Sequence, residues 1–273
     1  KKLVFGAALA LSLVSGAHAA TGGIAFGPVM MVWFMALAAI GLYNIVRNPS
    51  VLLAVNPWYG LEFLWANKAM ALIAMGNIVL AVTGAEALYA DMGHFGRRAI
   101  RLSWLALVFP ALLLNYFGQG AGLMSHPEIA ANPFYGIVPE AGLYPMVALS
   151  TAAAIIASQA MISGVYSLTQ QAVQLGFIPR VHIVHTSSSM AGQIYIPEVN
   201  TLMMWACIAL ALVFKESSRL AAAYGIAVTA TMGLTTAIYY FVASRHWGWP
   251  RWKALPLAVL FLAFDLAYFG SNL

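Results

Sequence analysis

The chain has 273 residues, of which 62% are hydrophobic and only 8% are charged, and its mean hydropathy is +0.84. This composition excludes an ordinary soluble domain and predicts an all-α integral membrane protein with several spans. The net charge is +5, but no basic tract interleaved with aromatic residues indicates nucleic-acid binding.

The first 25 residues resemble a secretory signal peptide. Lys1 and Lys2 precede an apolar run, which ends in the small-residue sequence Ala17-His18-Ala19. Cleavage there would leave Ala20 outside the membrane, which conflicts with the orientation predicted from the loop charges. We therefore interpret residues 1–25 as an atypical or non-native segment and residues 26–273 as the transmembrane domain.

Seven apolar segments are long enough to cross a hydrocarbon core of about 30 Å, which takes roughly 20 helical residues. They should be helices, because the backbone in lipid must satisfy its own hydrogen bonds. The predicted spans cover residues 27–46, 69–92, 102–122, 143–165, 196–214, 221–243 and 253–271. The fourth continues as an amphipathic, interfacial extension to Gly176. Cys207, the single cysteine, is expected to be a small core residue of the fifth span.

Loop charges predict the orientation of the spans. The loops that follow spans two, four and six carry seven Lys and Arg residues, whereas the alternate loops carry four. The richer set is Arg97, Arg98, Arg101, Arg180, Arg245, Arg251 and Lys253. Because basic loops stay in the cytoplasm, these loops are predicted to lie inside and the first span to run outward.

The second predicted span contains the most informative residue, Glu86. A carboxylate at membrane depth costs about 2.5 to 3.5 kcal/mol, so it usually serves ion or proton handling. Thr83 and Gly84 precede it and predict an interruption of the helix. Freed carbonyl and hydroxyl oxygens can replace the water around potassium, and Glu86 can supply charge or an exchangeable proton.

Two interpretations are open for each residue here. Glu86 lies in the ion pathway or is a structural carboxyl between helices. Thr83 coordinates the ion or bonds the preceding turn. Tyr89, which shares the face of Glu86, supports the site or packs in the core, and Asp91 forms a helix-end ion pair or inner gate, or coordinates the ion directly.

Other polar residues are candidates for a gate or for support of the site. Asn115 and Gln119 are four apart and face the same way, as packing residues or in an outer vestibule. Ser163 belongs to a polar stripe of the fourth span, and Tyr224 is a gate candidate or a packing residue of the sixth. Asp265 has no evident partner in the sequence, and we expect it to pair with a helix outside this chain.

Several motifs, taken together and in order, resemble the KUP/HAK/KT family of potassium uptake transporters. They lie at residues 26–34 (FGPVMMVWF), 81–96 (AVTGAEALYADMGHFG), 109–121 (FPALLLNYFGQGA), 157–164 (ASQAMISG), 192–197 (GQIYIP), 221–228 (AAAYGIAV) and 264–269 (FDLAYF). The resemblance implies a partial inverted-repeat, broken-helix bundle of the APC/LeuT-like type with a site at the bilayer midplane. The Gly-Asp-Ile-Gly-Thr-Ser signature of the family's first helix is absent, so the chain is expected to correspond to roughly helices five to eleven.

The leading functional prediction is potassium uptake by potassium/proton symport in the bacterial cytoplasmic membrane. Thr83 and Glu86 would contact the potassium ion, which is the cargo, and no cofactor and no enzymatic activity are predicted. Expected partners are potassium, protons and the lipid bilayer, with a homodimer as a further candidate. The alternatives are a truncated or fused remnant that does not transport, or an organic-solute permease on the same fold, whose carboxylate substrate Glu86 would repel.

Overall fold

A computed structural model describes residues 22–83, 97–185 and 194–272. Within these ranges the chain is helical, apart from one pair of short strands. The longest helices are α1 (Gly22–Arg47), α3 (Lys68–Val82), α5 (Phe109–Ser125), α7 (Leu143–Gln174), α8 (Pro197–Phe214), α9 (Ser217–Arg245) and α10 (Arg251–Asn272).

Shorter elements connect these helices. They are α2 (Pro57–Ala66), α4 (Arg97–Ser103), a π-helical stretch (Trp104–Val108), α6 (Pro133–Gly136), 3-10 segments at Pro49–Val55, Pro127–Ala131 and Glu140–Gly142, and strands β1 (Val184–His185) and β2 (Ile194–Tyr195). The two strands pair antiparallel, with Val184 opposite Tyr195 and His185 opposite Ile194. The π stretch joins α4 to α5, so that the third predicted span is helical from Arg97 to Ser125.

The chain forms two compact units. The first comprises residues 1–55 and 86–208, and the second comprises residues 56–85 and 209–273. The boundary between the units falls within α8. The second unit therefore receives the end of α8 together with α2, α3, α9 and α10.

The first unit is built on the crossing of α1 and α5. A Cβ atom at Gly41 would overlap the Leu114 carbonyl group, and one at Gly118 would overlap the backbone of Gly41. The two glycines therefore allow the helix backbones to touch, as small residues do in membrane bundles. An apolar cluster lies beside this crossing, formed by Leu37, Val138 and Met146.

The second unit is built on the antiparallel hairpin of α9 and α10. Gly225 lies against the Asn272 side chain, and a Cβ atom added at Gly233 would lie 4.0 Å from the Cβ atom of Asp265. Helix α3 packs against α10 at Gly76, where an added Cβ would lie 2.8 Å from the Ser271 carbonyl oxygen. Helices α3, α9 and α10 of this unit thus meet at small residues.

In the part of the chain that the structure describes, six segments are helical, long and apolar enough to cross a membrane: Phe26–Arg47, Ile100–Ser125, Glu140–Gln174, Pro197–Phe214, Ser217–Arg245 and Arg251–Asn272. The extension predicted for the fourth span is part of α7. The second predicted span falls short in its described part, because α3 has only 15 residues. The count of seven therefore stays a prediction.

One expectation about the interior is wrong. Cys207 is exposed on α8 rather than buried in a core. Large apolar side chains are exposed along the same helix, including Leu202, Trp205 and Leu210. In a membrane helix the exposed face meets lipid, so a small apolar residue needs no protein core around it.

Candidate functional site

The helix of the second predicted span stops inside the apolar segment. Helix α3 ends at Val82, and Thr83 has an extended backbone with φ −78° and ψ 167°. Fifteen residues span only about 22 Å at 1.5 Å per residue, which is less than the hydrocarbon thickness. The regular helix therefore ends at Val82, directly before the Thr83-Gly84 pair where the sequence predicts an interruption.

Thr83 is half-buried at this helix end. Its hydroxyl donates a hydrogen bond of 2.8 Å to the Leu80 carbonyl oxygen. A helix end leaves its last carbonyl groups without partners inside the helix, and Thr83 satisfies one of them. Because a hydroxyl oxygen that donates its hydrogen keeps its lone pairs, Thr83 still has oxygen available to a cation.

The other members of the predicted ion site lie outside the described residues. They are Gly84, Glu86, Tyr89 and Asp91. Their roles, and the contact of Thr83 and Glu86 with potassium, stay predictions.

Asn115 and Gln119 come together as their spacing predicts. The Gln119 Nε2 atom donates a hydrogen bond of 2.6 Å to Asn115 Oδ1. Asn115 is only 4% exposed, and its Nδ2 atom is the buried side-chain atom of the described residues that has no hydrogen-bond partner. The position of Asn115 beside Gly41 places this amide pair at the crossing of α1 and α5.

Ser163 and Tyr224 lie at exposed positions. The Ser163 hydroxyl donates to the Gln159 carbonyl oxygen of its own helix at 3.0 Å, and Tyr224 is 44% exposed on α9. Among the described residues, Ser163 makes no hydrogen bond to Asn115, and Tyr224 makes none to Thr83. A gating role for them stays a prediction.

Asp265 corrects an expectation of the sequence analysis. Asp265 is 5% exposed, and its Oδ2 atom accepts a hydrogen bond of 2.6 Å from the Thr236 hydroxyl. The partner is therefore on α9 of this chain, and no helix from outside is needed to provide it. The sequence does not identify Thr236 as the partner of Asp265, because 29 positions separate the two residues. Three other threonines of α9 are also equivalent to Thr236 in sequence.

Charged side chains at the ends of the spans differ in character. Arg98 and Arg101 line an open groove of about 860 Å³ with Leu102 and other apolar residues. This mixture suits the boundary between lipid and water, where arginine reaches toward water along its apolar stem.

In the loop after α5, a backbone hydrogen bond and the His126 ring 3.0 Å away lower the pKa of the exposed Glu128 carboxyl.

Comparison with known proteins decides the family. The sequence profile of the family described as the K+ potassium transporter integral membrane domain matches residues 6–273. The chain belongs to this family. As a member of the KUP/HAK/KT family, it is 62% identical over 265 residues to the probable potassium transport system protein Kup 2 of Syntrophobacter fumaroxidans, with 97% of this chain covered.

Further relatives agree. The probable Kup 1 protein of the same organism is 62% identical over 271 residues, which is 99% of this chain. The probable Kup protein of Anaeromyxobacter dehalogenans strain 2CP-1 is 57% identical over 250 residues, which is 92% of this chain. The chain spans 41%, 41% and 37% of the length of these three relatives. No solved structure matches the chain, so the APC/LeuT-like arrangement stays a prediction.

The family match also includes residues 6–25. These residues belong to the segment that resembles a signal peptide and lie outside the described ranges, except for the backbone of 22–25. The interpretation of that segment as non-native stays a prediction.

Proposed function

We propose that the protein containing this chain takes up potassium across the bacterial cytoplasmic membrane by potassium/proton symport. The observation that carries the proposal is the end of α3 at Val82, inside an apolar segment, with the Thr83 hydroxyl at the break and Glu86 three residues further along the chain. The names of the relatives, which are potassium transport system proteins, support potassium as the cargo.

The chemistry follows from the ligand types. Potassium is weakly hydrated, and carbonyl and hydroxyl oxygens can replace its water without a large desolvation penalty. A helix that stops at membrane depth supplies such oxygens from its final turn. Glu86 would balance the charge of the ion or carry the coupled proton, and Tyr89 and Asp91 would assist.

The test is rubidium uptake by cells that lack their own potassium uptake systems and express the full gene product. Thr83→Ala removes one candidate ligand, and Glu86→Ala removes the proposed anion. We expect each substitution to reduce uptake about tenfold or more, which corresponds to about 1.4 kcal/mol. Thr83→Ser keeps the hydroxyl and is expected to retain uptake.

Two control variants match these changes. Thr231→Ala removes an exposed hydroxyl of α9 that also bonds a carbonyl of its own helix, at 2.9 Å, and Glu140→Ala removes an exposed glutamate. Both should transport rubidium at the wild-type rate. Normal rate and affinity in the Thr83→Ala and Glu86→Ala proteins would remove these two residues from the mechanism.

A further inference from the structure

Arg98 and Arg101 lie together at the start of a candidate membrane span. Arg98 precedes the apolar segment that begins at Ile100, and Arg101 is the second residue of that segment. Both arginines are exposed, and they line the same open groove of about 860 Å³. Residues three apart on a helix share a face, so the two guanidinium groups can act on one ligand.

The groove changes from basic to apolar along the helix. Leu102, Leu105 and Ala106 complete its lining, and the two leucines are 70% and 59% exposed. Leu105 lies about 6 Å further into the span than Arg101, at 1.5 Å per residue. The groove therefore has a charged part at the membrane surface and an apolar part within the hydrocarbon.

A π-helical stretch turns the arginines away from the protein-facing side of α5. Ala111 is 2% exposed on that side, and a regular α-helix would place Arg101, ten residues earlier, about 80° from it. The stretch Trp104–Val108 turns less per residue, because its hydrogen bonds close over five residues, as the bond from the Phe109 N–H to the Trp104 carbonyl oxygen does. Arg101 therefore lies further from the face of Ala111, on the exposed side of the segment.

No carboxylate of the described residues neutralises the two arginines. The ion pairs found among those residues are His126 with Glu128 and Arg219 with Glu216. Guanidinium groups without an acidic partner attract phosphate, which they bind through parallel hydrogen bonds. Basic pockets at the surface of a membrane bind the head groups of acidic lipids by this chemistry.

We propose that this groove binds an acidic phospholipid, with the lipid phosphate at Arg98 and Arg101 and the start of the acyl chains along Leu102, Leu105 and Ala106. Charge complementarity selects the phosphate. The apolar part selects a lipid over a soluble phosphate, which has no group to place there. A volume of about 860 Å³ is within the range of ligand clefts, about 300 to 1,000 Å³.

The experiment measures which lipid lies beside the groove in nanodiscs that contain the purified full gene product. In a Cys207→Ser background without other cysteines, Phe109→Cys carries a nitrobenzoxadiazole fluorophore one turn beyond Leu105. Nitroxide-labelled phosphatidylglycerol or phosphatidylcholine is then added in rising proportion, and quenching is recorded. Half-maximal quenching should need about thirtyfold less phosphatidylglycerol, because each basic side chain near the surface should contribute about fivefold.

Charge variants of the labelled protein identify the residues responsible. Arg98→Gln/Arg101→Gln should make the two lipids quench equally, whereas Arg98→Lys/Arg101→Lys keeps both charges and should retain most of the preference. The matched control is Arg180→Gln/Arg251→Gln, which removes two other exposed arginines and should retain the full preference. A fluorophore on Val259→Cys, at an exposed position of α10, measures the lipid away from the groove and should show little preference.

Four outcomes would overturn the assignment of the groove to an acidic lipid. They are equal quenching by the two lipids at Phe109→Cys, a preference that survives Arg98→Gln/Arg101→Gln, and an equal preference at Val259→Cys. The fourth is loss of the preference when inorganic phosphate replaces chloride at the same ionic strength, because the arginines would then bind a soluble phosphate. None of these measurements requires ion transport, so they stand apart from the test of potassium uptake.

Discussion

The amide pair of Asn115 and Gln119 defines the polar chemistry of the first unit at the residue scale. Asn115 uses its oxygen to accept from Gln119, while its Nδ2 atom is buried without a partner. Leaving a buried polar group without a hydrogen bond costs more free energy than a typical hydrogen bond contributes. Loss of the remaining hydrogen bond between Asn115 and Gln119 should therefore destabilise this site and lower the free energy of unfolding by an amount that can be measured.

Gln119→Leu should destabilise the protein by about 1–3 kcal/mol, because Asn115 would then be buried with neither amide group paired. The double variant Asn115→Leu/Gln119→Leu removes both polar groups and should recover most of this loss. Gln159→Leu is the matched control, since the Gln159 side chain makes no hydrogen bond among the described residues. The measurement is thermal unfolding of the full gene product in detergent, and equal melting temperatures for Gln119→Leu and the control would contradict the prediction.

At the scale of elements, backbone contact between helices replaces the large apolar core of a soluble protein. Lipid is as apolar as leucine, so helices associate through close packing of small residues rather than through exclusion of water. The contact of Gly41 and Gly118 in the first unit and that of Gly76 with Ser271 in the second are of this kind. Each glycine contact fixes the point where two helices cross, and with it the positions of the polar side chains nearby.

Gly41→Ala should separate α1 from α5, because its Cβ atom would meet the Leu114 carbonyl and backbone cannot yield as a flexible side chain does. We expect a loss of about 1–3 kcal/mol, typical of overpacking, and a fall of several degrees in melting temperature. Gly27→Ala on the same helix meets nothing within 4 Å and should be neutral or stabilising. If the melting temperature of Gly41→Ala equalled that of the wild type, α1 and α5 would not be in backbone contact at this crossing.

At the scale of the whole molecule, the loops determine how the chain sits in the membrane. Loops rich in Arg and Lys are predicted to lie in the cytoplasm, and the loop carrying Glu128 outside. A signal peptide cleaved before Ala20 would require the opposite orientation. The loop charges and a cleaved signal peptide therefore predict opposite sides of the membrane for each loop.

Cysteine labelling distinguishes the two orientations. In a Cys207→Ser background without other cysteines, Glu128→Cys should react with a membrane-impermeant maleimide in intact cells. Arg180→Cys should react only after the membrane is made permeable. Both positions are exposed, so a lack of labelling would reflect the side of the membrane rather than burial. If only Arg180→Cys were labelled in intact cells, the orientation predicted from the loop charges would be wrong.

The sequence by itself determined the protein class, the family and most of the helices. Apolar length and the cost of unpaired backbone in lipid leave few alternatives to a helix, and the α7, α8, α9 and α10 bounds agree with the predicted spans. The spacing of Asn115 and Gln119 was also sufficient, because residues four apart on a helix always share a face.

Only the tertiary structure decided which polar groups meet across helices. Thr236 and three other threonines of α9 are equivalent in sequence, and the crossing of α9 and α10 selects Thr236 as the partner of Asp265. The burial of Asp265 and the exposure of Cys207 depend likewise on which face of a uniformly apolar helix meets protein and which meets lipid. Composition does not distinguish those faces, because lipid and protein interior are almost equally apolar.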